Sequence, residues 1–234
     1  MKPIIQLLIF IFLVNTTIAQ ESKGYVGIGI GASLPVGQIG STSIEDYFKY
    51  GYLKTGISYN LDCQYQLYRW IGLSASLYSS KHEFDVENFL KSSEFSNNGN
   101  AIKAEKPAIV NSYLAGIVLK KQNFPVYLKA MFGVSSVQSV EISSYDKQNL
   151  NSTTIKQSEP VWGYSSSYSI GSYFKLYKRL GMNLSVTLLS CKSVPTKVPM
   201  EYNHQAINQT YSSFLDPDGI YFMNAQAGLG YLLE

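Results

Sequence analysis

The sequence predicts an all-β chain, an eight-stranded antiparallel up-and-down transmembrane β-barrel with short periplasmic turns and long external loops. Three observations carry that expectation. Apolar residues alternate with small polar ones over stretches of about ten residues. The connections between stretches are alternately short and long, and the whole pattern lies directly behind a secretory leader.

Residues 1–19 read as a signal peptide. Lys2 gives the positive start, Ile4 to Val14 form an apolar run broken only by Gln6, and Thr17-Ile18-Ala19 ends on a small residue. The run is too short for a permanent membrane helix, so two units are expected: a leader at 1–19 and a barrel domain at 20–234. No cysteine follows the expected cleavage point, which argues against a lipid anchor.

The second strand shows the alternation best. Ile57, Tyr59, Leu61, Cys63, Tyr65 and Leu67 share one parity, and Gly56, Ser58, Asn60, Asp62, Gln64 and Gln66 the other. On a soluble sheet the polar side would carry Lys, Glu and Arg. Here it carries Gly, Ser, Asn and Gln, which suits a crowded interior with lipid on the apolar side.

The same pattern predicts strands at Tyr25 to Leu34, Ile71 to Ser79, Ser112 to Leu119, Val126 to Val137, Trp162 to Leu176, Met182 to Leu188 and Tyr221 to Leu233. Leu114 and Val118 blur the inner face of the fourth. Charged residues are only 15 % of the chain and aromatics 14 %, with 19 Tyr. Both shifts suit a wall with lipid on one side, and a mean hydropathy of -0.04 is what apolar residues spread over every second position produce.

Short connections are expected at 68–70, 120–125 and 177–179, and long polar loops at 36–54, 80–111, 141–160 and 192–218. An even strand number places both chain ends in the periplasm. Eight strands leave an interior filled by side chains, with no water channel. Aromatics cluster at the short turns: Tyr65, Tyr68 and Trp70, then Phe124 and Tyr127, then Phe174 and Tyr177, and finally Tyr231. As a set they predict an interfacial girdle.

Asp62 and Lys129 are the charges well inside strand segments, both with inward phase. They either join a lumenal polar network or are solvated separately in a wet lumen. A basic residue on the lipid side at mid-depth would cost about 2–4 kcal/mol, so the barrel requires this phase.

Other motifs point away from chemistry. A net charge of +3 on an exported chain does not suggest nucleic acid. Gly27-x-Gly29-x-Gly31 lacks the dinucleotide spacing and is followed by Pro35 and a loop, not by a helix; such glycines make room for larger side chains opposite. Cys63 faces outward and Cys191 inward, so no disulfide is expected. Asp216-Pro217-Asp218-Gly219 reads as a turn and lacks calcium-loop spacing. No metal, no cofactor and no enzymatic activity are expected. The candidate catalytic bases of a lipid-modifying alternative are His82 and His204, both in expected external loops, with Ser79, Ser80 and Glu83 beside the first and Ser212 and Ser213 after the second. A soluble lipocalin-like binder is the other alternative; Gly24-Tyr25-Val26 stands where that family has Gly-x-Trp.

The leader, the opening "GYVGIGIGASLP", the amphipathic strands and the closing "AQAGLGYLL" resemble the small outer-membrane β-barrel domain family, the OmpA and OmpX type. Gln20 after the leader resembles versions common in Bacteroidota. The resemblance implies an envelope protein in outer-membrane lipid, monomeric, with external loops open to an extracellular or envelope partner; some relatives are adhesins, others secretion-system components. Many such barrels end on an aromatic residue, whereas this chain ends Tyr231-Leu232-Leu233-Glu234, and no room remains for a wall-binding domain.

Overall fold

The computed structural model describes residues 23–36, 52–92, 101–121, 124–145, 152–157, 159–193, 200–202, 205–207 and 220–233. The expected leader, His204 and the 216–219 turn lie outside them. Eight strands form the wall: β1 (Gly24–Val36), β2 (Gly56–Tyr68), β3 (Ile71–His82), β5 (Ala108–Lys120), β6 (Val126–Gln138), β9 (Val161–Tyr177), β10 (Leu180–Ser193) and β13 (Ile220–Leu233). Each pairs antiparallel with its neighbours along the wall, and β1 closes on β13 from Gly24 opposite Leu233 to Val36 opposite Tyr221. Closure leaves no open ladder edge in the wall.

Alternation sets the parity. In β2 every residue from Ile57 to Tyr65 on the apolar parity is exposed, and Ser58, Asn60, Asp62 and Gln64 are buried. A slip of one residue would turn the Ile, Leu and Tyr set into the lumen. Arg69–Trp70 and Lys178–Arg179 form two-residue turns, and Lys121–Pro125 joins β5 to β6. Lys178 has φ 46°, the left-handed conformation that tight hairpin turns demand.

The described parts of three of the expected long loops hold regular structure. Between wall strands lie α1 (Val86–Ser92), β4 (Ala101–Lys106), β7 (Glu141–Tyr145), β8 (Ser152–Gln157), β11 (Met200–Tyr202) and β12 (Gln205–Ile207). The strands make a second sheet in the order β12-β11-β8-β7-β4. The β5–β6 ladder ends with Ile109 opposite Gln138, and β4 and β7 resume it with Lys106 opposite Glu141, so this hairpin continues beyond the wall as a platform. Asp85 caps α1 by accepting from the Asn88 backbone N–H at 3.2 Å and from its side-chain amide at 2.6 Å. Tyr52, Phe84 and Phe89 form an aromatic cluster beside it, with Tyr52 to Phe89 centroids 5.3 Å apart.

Two expectations are corrected. His82 is not in an external loop: β3 runs on past Ser79, inward parity continues through Tyr78, Ser80 and His82, and the ring is fully buried. Tyr127 is not a girdle residue, because its parity in β6 is inward and it is 1 % exposed.

Candidate functional site

The lumen is built in three layers, each supplied by inward positions of several wall strands. At the short-turn end Tyr25, Val118, Tyr127, Tyr173 and Leu232 pack together. The Tyr25 and Tyr127 rings each lie 4.6 Å from that of Tyr173. Glycine nearby makes this possible: a Cβ at Gly27, two residues along β1, would collide with the Tyr25 hydroxyl, and one at Gly171, opposite Tyr127, with that of Tyr127. The Tyr127 hydroxyl donates to Asn183 Oδ1 at 2.9 Å.

The middle layer holds the charges. Lys129 Nζ donates to both Asp62 carboxylate oxygens, at 2.8 and 2.9 Å, with the two side chains 2 % and 1 % exposed. Ser76 Oγ donates to Asp62 Oδ1 at 2.5 Å and Gln64 Nε2 to Oδ2 at 2.7 Å. The ammonium also stands 5.1 Å from the Tyr127 ring centroid. Asp62 therefore accepts four hydrogen bonds away from solvent, the condition under which a buried ion pair is tolerated.

At the loop end an apolar plug contains Tyr78, Val110, Leu114, Met131, Leu189, Cys191, Ile220 and Phe222. His82 stacks on Phe222 at 4.8 Å. Its Nδ1 lies 3.1 Å from the Lys54 carbonyl, which can only accept, and its Nε2 lies 3.2 Å from Ser80 Oγ. At the level of the plug the Ser112, Ser135 and Ser165 hydroxyls are chained at 2.5 Å. Cys63 and Cys191 are both free.

The lumen thus brings Asp62 and Lys129 together and seats Tyr127 beneath them, while Tyr65, Tyr68, Trp70, Phe124, Tyr177 and Tyr231 stand exposed on the outside, Phe174 half-buried among them. Sequence reasoning missed the two apolar layers. The available signal was the handful of large residues on the polar parity, which look like noise in an alternation: Leu114, Met131, Leu189 and Phe222 belong to the plug and Val118 to the tyrosine layer. A concavity of about 730 Å³ has Ile28, Ile30, Tyr59, Leu61, Tyr113 and Leu229 among its lining residues. A lumenal space beside Gln64 and Tyr173 measures about 20 Å³, room for one water. Among the described residues no group of three His, Cys, Asp or Glu is placed to hold a metal.

Fold and lumen together define a class: a closed eight-stranded barrel, plugged at both ends, with an apolar exterior. No family model matches the sequence and no curated protein sequence matches it. The solved structures it is similar to include the attachment invasion locus protein Ail of Yersinia pestis, 16 % identical with a TM-score of 0.45, over 91 % of this chain and 99 % of that one. Neisserial surface protein A is 10 % identical with a TM-score of 0.44, over 91 % and 98 %. The outer membrane protease OmpT of Escherichia coli is 8 % identical with a TM-score of 0.43, over 90 % and 96 %. The barrel assignment stands on this chain's own strand pairing.

Proposed function

We propose that the chain is a non-enzymatic integral outer-membrane protein, exported by a leader at 1–19 that is removed to leave a barrel domain at 20–234, and that it acts by holding a folded platform at the cell surface. The observation that carries this reading is the exterior: Ile28, Phe132, Ile170 and Leu229 are each more than half exposed, and similar side chains ring every wall strand. Soluble monomers do not expose a continuous apolar belt of this size. Lipid satisfies it, and closure satisfies the backbone inside lipid.

In this reading the short turns and both chain ends face the periplasm and the platform faces outward. Tyr65, Tyr68, Trp70, Phe124, Phe174, Tyr177 and Tyr231 form the periplasmic girdle, and Asp62 with Lys129 is the structural centre of a lumen that passes no solute. The platform supplies whatever binding of a partner takes place, from a monomer. Membrane fractionation tests the location: retention with the outer membrane until detergent is added is expected, together with a heat-modifiable band, and release by salt alone would end the reading. Digestion of whole cells tests the orientation, since cuts should fall in the platform and spare the short turns.

The lipid-modifying alternative has one contact in its favour, the Ser80 to His82 approach. Both side chains are buried, however, and His82 Nδ1 is turned to a backbone carbonyl where a catalytic histidine would hold a carboxylate. Replacing both by Ala should leave the cell's lipid profile unchanged; an altered lipid A or phospholipid pattern would revive it.

A further inference from the structure

The two ends of the barrel differ in charge. Among the described residues the acidic ones other than Asp62 all lie at the platform end, at Glu83, Asp85, Glu87, Glu105, Glu141, Glu159 and Glu201. Among the described residues the short-turn end carries basic ones alone. Lys23 precedes β1, Arg69 sits in the first turn, Lys121 in the second, and Lys178 with Arg179 makes the third; all five are exposed. Lys120 and Lys175 stand half-buried behind them.

Three of these cations are mounted on exposed aromatics. Lys121 Nζ lies 5.9 Å from the Trp70 ring centroid and Lys178 Nζ 5.1 Å from that of Tyr177. The Arg179 guanidinium lies 5.7 Å from the Tyr231 ring and donates to its hydroxyl at 2.6 Å. The charges therefore stand at the rim of the apolar belt, level with rings that favour the boundary between hydrocarbon and headgroups. Lysine and arginine placed there keep their stems on apolar surface and their heads at phosphate depth.

We propose that the short-turn end is a collar for anionic phospholipid headgroups, binding their phosphates from the leaflet in which it is embedded. This rests on the membrane-barrel reading above. A soluble acidic partner fits less well, because the charges ring the belt at its edge and do not gather on a protruding surface; a partner would have to meet them at membrane level.

The test uses the protein extracted in detergent and moved into vesicles of phosphatidylcholine, with or without phosphatidylglycerol, with the unfolding midpoint read from heat-modifiable migration. The wild-type midpoint should rise with phosphatidylglycerol, and the rise should shrink in high salt. In R69Q/K121Q/K178N/R179Q at least half of that rise should vanish, with the midpoint in pure phosphatidylcholine kept. A platform-end control, K54Q/K81Q/K103Q/K106Q, should keep the full rise. No rise in the wild type, or equal losses in both variants, would overturn the collar. Should the quadruple variant not fold, R69Q and K121Q singly must each lose part of the rise, and native mass spectrometry of the wild type must retain phosphatidylglycerol in preference to phosphatidylcholine; equal retention overturns the proposal. Vesicles offer the anionic lipid in both leaflets, so the outcome is independent of orientation in the cell. Failure to enter vesicles at all would sink the membrane reading, whereas entry without lipid preference would sink the collar alone.

Discussion

The wall and the platform are both antiparallel β structure, but their side chains work under different rules. Every wall position has hydrocarbon-loving residues on one side and a packed lumen on the other, so parity decides what a residue does. In the platform antiparallel ladders join the five strands. What the described platform adds is polar and peripheral: Ser143 and Thr154 hydroxyls 3.2 Å apart, Lys106 paired with Glu141 at 2.7 Å, and an exposed Lys103 to Glu105 contact. The difference teaches that one fold carries two tolerances to change, sharp in the wall and soft beyond it.

The largest test of that contrast is Lys129→Met, which leaves the Asp62 carboxylate buried without its cation. A loss of about 3–5 kcal/mol is expected from urea unfolding in vesicles, most of it recovered in Lys129→Met/Asp62→Leu. A loss below about 1 kcal/mol would mean the pair behaves like a surface ion pair. Next comes a charge placed outward: Phe132→Arg should cost about 2–4 kcal/mol, depending on its depth, whereas Ser143→Arg in the platform should stay within about 0.5 kcal/mol. Equal costs would erase the distinction.

Smaller still is Asp85→Ala, which removes the cap of α1 and should cost about 0.5–2 kcal/mol locally. Faster hydrogen exchange at the Asn88 amide would show it while the folded band on gels stays unchanged. The same cap has a pH dependence. Desolvation pushes the Asp85 carboxyl up, but the Asn88 donors and the Lys54 ammonium outweigh it and hold the group below the ordinary carboxylate range. Its contribution is therefore full above the unfolded carboxylate pKa and lost as pH falls through the lower folded value. The smallest effect is Glu141→Gln, about 0–1 kcal/mol by thermal midpoint.

Much of the wall was legible in the sequence because period-two alternation between two solvents is a strong and local signal. Strand parity, the short turns and the sides taken by Cys63 and Cys191 all follow from it. What depends on register was not legible. Asp62 stands opposite Ser76, Ser76 opposite Leu114 and Leu114 opposite Gly133, and only that chain of pairings brings Asp62 within reach of Lys129 on β6, the fifth wall strand. His82 was misplaced because Ser79-Ser80-Lys81 reads as the start of a loop, although Lys81 and His82 keep the parity of β3. Tyr127 was misplaced because nearness to a turn was weighed above its inward phase. The platform strands escaped notice because short Ser- and Thr-bearing segments such as β8 carry no apolar periodicity; their partners come from other connections.

The seam between β1 and β13 joins the first described strand to the last. Until β13 arrives, β1 and β10 each present an unsatisfied ladder to their surroundings, and no hairpin made earlier can supply the missing bonds. Such a cylinder is completed by its final stave, so its insertion is governed by non-local pairing and its unfinished forms need protection from one another.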